Sequence, residues 1–193
     1  MARRRNPLVQ ALTTGFTLTF LAISRRLPLS WNRWMALRIA RLVAPLVPRV
    51  RNVTRENIER AYGDSLSDAE KAKLFRGAID NVALVASELA HIPTMHGGEL
   101  GAQVTVVGEE HIRPGTGHLV IGAHLGNWEL AGPFMAHTGL KVAEVVRPFD
   151  DPRMDRAIDG IRRANDVLTI PKDNAGKEII RVLKEGYMVG VLI

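Results

Sequence analysis

Leu119-Val-Ile-Gly-Ala-His-Leu-Gly-Asn-Trp-Glu129 is the stretch that decides the fold. Its first five residues are mostly apolar and follow the turn signal Pro114-Gly-Thr-Gly117, which predicts a buried strand. Asn127 is a typical helix N-cap, and the residues after it predict a helix. His124 is therefore expected just past the carboxyl end of a strand, where open α/β sheets place their active sites.

The spacing of His124 and Glu129 points to acid–base chemistry. Glu129 is expected in the first turn of the predicted helix, close enough to hydrogen-bond one ring nitrogen of His124. The other ring nitrogen would then accept a proton from a substrate. The spacing alone is weak evidence, because six histidines and twenty acidic residues produce such pairs by chance. In the alternative interpretation His124 bonds to backbone, and Glu129 is a first-turn acid favoured by the helix dipole.

A cation follows the next predicted strand, at 142–146, where Arg147 stands. If the two strands are adjacent in a parallel sheet, Arg147 comes within reach of His124. A base, its orienting acid and a guanidinium suited to a phosphate or a developing oxyanion would then form one site.

Other chemistries lack their signatures. There is no His-Glu-x-x-His metal motif and no Gly-x-Ser-x-Gly elbow, and the chain contains no cysteine. No glycine-rich nucleotide-binding motif follows a strand, so neither a metal nor a nucleotide cofactor is indicated.

The second half of the chain alternates between two hydrophobic periods. Short apolar runs at 104–107, 119–123, 142–146, 167–170 and 189–193 predict strands. Between the last four lie predicted helices at 127–137, 153–164 and 175–185. This alternation predicts an α/β fold, with a mainly parallel central sheet and flanking helices.

Residues up to about 95 are predicted to be helical. Ser67 and Glu70 form a capping box that opens a long amphipathic helix, and Pro93 ends it. The uncharged stretch 6–24 stands between Arg3-Arg-Arg5 and Arg25-Arg26. It is compatible with a spanning or deeply inserted anchor, an interfacial or core helix, or a signal peptide that lacks a small-residue cleavage site.

The charge of the chain predicts an anionic partner. The formal net charge is +6 and the isoelectric point is about 10.2, with many of the basic residues near the N-terminus. Trp31 and Trp34 are interleaved with arginines, a pattern typical of a membrane surface, and no nucleic-acid-binding module is present. We therefore expect a helical N-terminal region that associates with a membrane, and no nucleic-acid partner.

The motif block resembles a known enzyme family, the bacterial lipid A biosynthesis acyltransferases. These are the lauroyl and myristoyl transferases of the lysophospholipid acyltransferase superfamily. The resemblance rests on the following segments: His124-Leu-Gly-Asn-Trp-Glu129, Val145-Val-Arg-Pro148 with Asp151-Pro152, Ile161-Arg-Arg163, Ile170-Pro-Lys172, Glu56-Asn-Ile58 and the capped helix from Ser67. Phosphatidylinositol mannoside acyltransferases carry a similar block, with aspartate in place of glutamate.

The resemblance implies a role for each site residue. His124 would be the general base for an acceptor hydroxyl, and Glu129 would hold its tautomer. Arg147 and Arg162 would contact substrate phosphate or stabilise charge, and Asn127 would either donate a hydrogen bond to substrate or simply cap the helix. The acyl donor would be a thioester of acyl carrier protein or coenzyme A, and no covalent acyl-enzyme would form.

The implied acceptor is a hydroxyl of a lipid A precursor or a related anionic glycolipid, on the cytoplasmic face of the inner membrane. A phosphatidylinositol mannoside or a lysophospholipid is an alternative acceptor. A non-catalytic membrane-binding protein or an inactive fragment is the alternative from another class.

The resemblance also sets expectations for domain organisation. We expect residues 1–50 to form hydrophobic and basic membrane-associating helices, and residues 51–193 to form the acyltransferase α/β domain. The last predicted strand stops without a turn or a polar tail, whereas family members continue, so we expect a chain truncated at its C-terminus.

Overall fold

The computed structural model describes residues 7–95, 104–173 and 175–193. The chain divides into two compact units. One comprises Met1–Arg25 with Leu89–Ile193, and the other comprises Arg26–Glu88. The boundary expected near residue 50 is a division between a membrane-associating region and an acyltransferase domain. It does not coincide with either boundary between the two compact units, and it stays a prediction.

Secondary structure in the described residues consists mainly of seven α-helices and four strands. The helices are α1 (Pro7–Ser24), α2 (Leu29–Val43), α3 (Pro48–Tyr62), α4 (Asp68–Leu89), α5 (Ala131–His137), α6 (Pro152–Arg163) and α7 (Ala175–Lys184). The strands are β1 (His118–Gly122), β2 (Val142–Val146), β3 (Val167–Pro171) and β4 (Met188–Leu192). A short 3₁₀ segment, Trp128–Leu130, precedes α5.

The four strands form one parallel sheet in the order β1-β4-β2-β3. The predicted parallel sheet with flanking helices is confirmed. The expectation that β1 and β2 are adjacent is wrong, because β4 returns from α7 and pairs with both of them. Chain order places neighbouring elements close together, but it does not determine which strand fills the central position.

The strand predicted at 104–107 is also wrong. Residues 104–106 have no regular structure, and a bend follows at Val107. The side chain of Val107 is 93% exposed and that of Val104 is also exposed. An apolar alternation forms a strand only where one of its faces can be buried and its backbone can be paired.

Two apolar clusters hold the sheet unit together. Buried residues of the first lie on the strands and α7, and they are Ala143, Ile170, Ala175, Val182 and Val189. Buried residues of the second lie on α1, α6 and the segment after α4, and they are Leu21, Ala90, Ile92, Ile158 and Ile161. Helices therefore cover the sheet and fix the ends of its strands.

Helix α1 turns its polar face inward. Thr14 and Ser24 are fully buried, and Leu21 packs against α6. Leu8, Leu12, Phe16 and Ile23 lie on the other side and are exposed. Within residues 7–95, 104–173 and 175–193, no helix has the length and apolar character that crossing a bilayer requires.

Unit Arg26–Glu88 is helical and is held by polar contacts as well as by packing. The amide of Asn32 donates to the carbonyl of Ser87 at 2.8 Å, and Arg33 pairs with Glu88 at the same distance. The predicted capping box is confirmed, since the Ser67 amide donates to the Glu70 carboxylate at 2.8 Å. The mutual contact satisfies amides that the first helical turn leaves unpaired.

Candidate functional site

One cavity of about 550 Å³ lies over β1, β2 and β4 and reaches their carboxyl ends. Its lining includes all the ionisable residues proposed from sequence, together with two further ones. These residues are His124, Glu129, Glu144, Arg147, Arg162 and Lys172. The remaining wall is largely apolar, with Val120, Met135, Val145 and Leu192. A mostly apolar cavity with a few convergent polar groups is typical of a small-molecule or lipid-chain site.

His124 stands two residues after β1 and is solvent-exposed at the cavity. Its Nδ1 lies 3.3 Å from the carbonyl oxygen of Ile193, which follows β4. This backbone oxygen only accepts, so in the tautomer that forms the hydrogen bond Nδ1 carries the proton and Nε2 is the acceptor. Trp128 packs edge-on against the ring, with 5.2 Å between centroids. The ring is thus oriented by backbone and by an aromatic neighbour.

Glu129 lies in the 3₁₀ turn after His124 and points to α6. Both of its oxygens accept from Arg162, at 2.8 Å from Nη2 and 3.1 Å from Nε. Side-chain exposures are only 17% for Arg162 and 13% for Glu129. Burial opposes the charged form of Arg162, but the hydrogen bonds and charge of Glu129 outweigh it and raise the pKa of Arg162.

The predicted hydrogen bond between Glu129 and His124 is therefore wrong. A two-bond contact with a guanidinium is among the strongest that a carboxylate makes, and α6 brings Arg162 to it from 33 residues away. The contact ties the turn that carries His124 to α6.

Arg147 follows β2 and lines the same cavity as His124, although β4 lies between their strands. Its guanidinium is exposed and lies 3.9 Å from the Asp150 carboxylate, a weak surface pair. The register pairs Val146 with Pro171, which brings Lys172 beside Arg147. The Lys172 amide donates to the carbonyl of Val146 at 2.8 Å. Two cations therefore stand at the carboxyl ends of β2 and β3.

Asn127 is the N-cap of the 3₁₀ turn. Its Oδ1 accepts from the amide of Glu129 at 3.2 Å. Of the two roles left open by the sequence, the cap is present in the structure, and a contact with substrate stays a prediction.

Glu144 is the functional candidate that sequence reasoning missed. It lies within β2 and lines the cavity with Glu129 and Arg162. Burial raises its pKa to about 7, Arg162 acts in the opposite direction, and the charge of Glu129 adds to the increase. The sequence did contain a signal for Glu144, since it is an acidic residue inside the apolar run Val142–Val146. A carboxyl at such a position is expected to be removed from water, which is unfavourable for its charged form.

The described part of the structure does not meet the requirements of a metal site. Within the part of the chain that the structure describes, no three His, Asp or Glu side chains are grouped as metal ligands. What the cavity does offer is an imidazole acceptor, a buried ion pair and two cations for an anionic group.

A protein-family model matches this chain. The model described as bacterial lipid A biosynthesis acyltransferase matches residues 3–193. A comparison with curated proteins found no match. Because the family model covers nearly the whole chain, including the residues around the cavity, the chain belongs to the bacterial lipid A biosynthesis acyltransferases.

Proposed function

We propose that this acyltransferase moves a fatty acyl chain from a thioester of acyl carrier protein or coenzyme A to a hydroxyl of a lipid A precursor or related glycolipid. One observation carries the proposal: His124 stands exposed at a cavity with largely apolar walls, and its Nδ1 lies 3.3 Å from the backbone oxygen of Ile193. A base with a defined free nitrogen beside an acyl-sized cavity suits direct acyl transfer.

The reaction proceeds in one displacement. His124 Nε2 takes the proton of the acceptor hydroxyl while its oxygen bonds to the thioester carbonyl carbon. The carbon–sulfur bond then breaks, and the imidazolium returns the proton to the leaving thiolate. The chain contains no cysteine, so no cysteine thiol of its own can carry the acyl group as a covalent intermediate.

The Glu129–Arg162 pair holds the segment that carries this base in place. It ties the turn between His124 and α5 to α6 through two short bonds. A base held in one place reaches the substrate proton without a cost in conformational entropy. We therefore assign Glu129 and Arg162 to positioning, in place of the direct contact between Glu129 and the imidazole expected from sequence.

Arg147 and Lys172 supply the anion-binding part of the cavity. Both are cationic, both are solvent-exposed, and they stand side by side at the ends of β2 and β3. Phosphate groups occur on the lipid acceptor and on the phosphopantetheine arm of the donor. Arginine binds such groups through paired hydrogen bonds and lysine through its charge.

Helix α1 supplies the membrane contact in this proposal. Leu8, Leu12 and Phe16 recur every four residues and form one exposed apolar stripe. A stripe of this kind lies in the headgroup region of a bilayer, and nearby arginines strengthen its binding to anionic lipids. Donor thioesters are cytoplasmic, so we place the cavity on the cytoplasmic side of the inner membrane.

The test is a panel of donors and acceptors. Lauroyl-coenzyme A and lauroyl-acyl carrier protein are each incubated with a lipid A precursor, a phosphatidylinositol mannoside or a lysophospholipid. Thiol release is followed by colour, and the lipid product by mass spectrometry. The chain has no cysteine, so it adds no thiol signal.

We expect acylation of the lipid A precursor to exceed that of the other acceptors. Preference for the mannoside or the lysophospholipid would move the chain to the corresponding alternative activity. No product with any acceptor would favour a non-catalytic membrane-binding protein or an inactive fragment.

A further inference from the structure

We propose that Glu144 is a positioning residue of the acyl-transfer site, which by holding a proton leaves Arg162 entirely to Glu129. The inference rests on the proposed acyl transfer at the His124 cavity. It adds to that mechanism an ionisable group, Glu144, that is separate from both the general base and the substrate.

The fold builds a place for this carboxyl. Glu144 lies in β2, the strand paired on both sides, opposite Thr169 of β3 and Gly190 of β4. Its Oε1 approaches Gly132 at the start of α5 so closely that any Cβ there would collide with it. A side chain at position 132 would therefore displace the carboxyl, whereas one at Gly190 would make only ordinary contact with its carbon stem. The glycine at position 132 thus leaves the space that the Glu144 carboxyl occupies.

Charge around Glu144 is unbalanced. Arg162 of α6 and Glu129 of the turn before α5 line the same cavity, and the charges of both act on Glu144. Two carboxyls therefore lie near one guanidinium whose hydrogen bonds go to Glu129.

The neighbouring positions on β3, β4 and α5 are Thr169, Gly190 and Gly132, which carry no charge. The Thr169 hydroxyl donates to Asp159 and accepts from Arg163, and these two residues of α6 pair with each other and add no net charge.

The cavity's other ionisable groups stand at strand ends, and they are His124, Arg147 and Lys172. These three groups are not among the causes of the raised pKa of Glu144, which are burial and the charges of Glu129 and Arg162.

Hydrogen bonding decides which carboxyl is ionised. Arg162 directs Nε and Nη2 to Glu129. Glu144 is half-buried, and its carboxyl has no hydrogen-bond partner among residues 7–95, 104–173 and 175–193. A second carboxylate in that position is costly when ionised, and protonation removes that cost. Burial accordingly raises the pKa of Glu144 to about 7, with Glu129 adding to the rise and Arg162 opposing it.

A consequence follows for the working site. Below neutral pH the group of Glu129, Arg162 and protonated Glu144 is electrically balanced. At higher pH the ionised Glu144 attracts Arg162 and competes with Glu129 for it. Because the Glu129–Arg162 bond anchors the turn that carries His124, acyl transfer declines as Glu144 loses its proton.

The first experiment compares the pH profiles of kcat/KM for the wild type and E144Q. Glutamine keeps the size of the side chain and imitates the neutral acid. We expect E144Q to retain activity within about three-fold of the wild type at pH 6. At that pH the side chain at position 144 is neutral in both proteins, as a protonated acid in the wild type and as an amide in E144Q. Its decline at alkaline pH should be absent or displaced upward by at least about one unit.

The control is E110Q, which removes an exposed carboxyl outside the cavity and should leave the profile unchanged. An unchanged alkaline limb in E144Q would overturn the proposal. So would a folded E144Q that is inactive at every pH, because the carboxylate itself would then be required.

A second experiment needs no activity. The folded pKa of Glu144 exceeds its ordinary value of 4.5, so the folded state holds an extra proton between pH 4.5 and about 7. The stability of the wild type relative to E144Q should therefore fall as pH rises through that window and be constant above it. Parallel curves of Tm against pH would overturn the proton assignment.

The two experiments separate the two proposals. A pH-dependent Tm difference without acyl transfer in the wild type would refute the proposed function and retain the proton on Glu144. Should E144Q not fold, ¹³C NMR of the wild type decides, since one glutamate carboxyl must titrate near pH 7. Titration of every glutamate below about pH 5.5 would contradict the proposal.

Discussion

Helices α1 and α7 belong to the same compact unit and turn opposite kinds of face to its interior. Helix α7 buries Ala175 and Val182 and exposes Lys177 and Arg181. Helix α1 buries Thr14 and Ser24, whereas Leu12 and Phe16 are each 64% exposed. The α7 pattern is typical of a helix with one face in the core and the other in water, and the α1 pattern is the basis of the membrane contact that we propose.

The two helices differ in what their apolar side chains stabilise, which is the fold in α7 and, in our proposal, binding to a membrane in α1. A fully buried Val or Leu side chain contributes roughly 1.5–3 kcal/mol relative to exposure. Val182 makes that contribution to folding, because it lies in the cluster beneath the sheet. Leu12 and Phe16 make little contribution to folding, and their apolar surface remains available for a lipid phase.

The largest effect is expected on the inner face of α7. V182D places a charge in the apolar cluster with Ala143 and Val189. We expect the free energy of unfolding to fall by at least about 3 kcal/mol, measured by urea denaturation. I180D on the exposed face of the same helix is the control and should cost less than about 1 kcal/mol. Equal costs would mean that the two faces of α7 do not differ in burial.

The same change on the outer face of α1 should affect binding instead. L12D/F16D should leave unfolding nearly unchanged and weaken partition into vesicles of phosphatidylglycerol and phosphatidylethanolamine by roughly 10- to 100-fold. Co-sedimentation with vesicles measures this, with I180D as the matched control. Unaltered vesicle binding of the double variant would contradict a lipid-facing role for α1.

The smallest effect is expected on the inner face of α1. Arg153 and the Thr14 hydroxyl hydrogen-bond Asp151 and, with Arg153 the larger contributor, hold the pKa of that carboxyl well below its usual range. T14V keeps the shape and removes the hydroxyl, so we expect a Tm lower by about 2–4 °C at neutral pH. A lowered pKa contributes stability above its ordinary value that is lost in acid, so the difference should shrink as pH falls below 4. A pH-independent difference would assign the effect to packing.

Local patterns in the sequence located the strands of the sheet, although they also predicted a strand at 104–107 that the structure does not have. The change from a 3.6-residue to a 2-residue period located all four strands to within two residues, and the Ser67–Glu70 capping box marked the start of α4. The position of His124 after β1 also followed from the strand pattern, because the end of an apolar run is visible along the chain.

Long-range contacts were not available from those patterns. The insertion of β4 between β1 and β2 depends on how α7 returns the chain, and the partner of Glu129 lies 33 residues away on α6. Glu144 shows the same limit. Its place in an apolar strand was visible, but the glycine that leaves space for its carboxyl, Gly132, lies on another element.

Substitution of His124 tests the central claim most directly. H124A and H137A are compared for acyl transfer from lauroyl-coenzyme A to a lipid A precursor, with far-ultraviolet circular dichroism to confirm folding. His137 is exposed at the end of α5 and is not part of the cavity lining. The account predicts that H124A lowers kcat by at least about 10²-fold and that H137A stays near the wild type. A folded H124A with near wild-type turnover would contradict it.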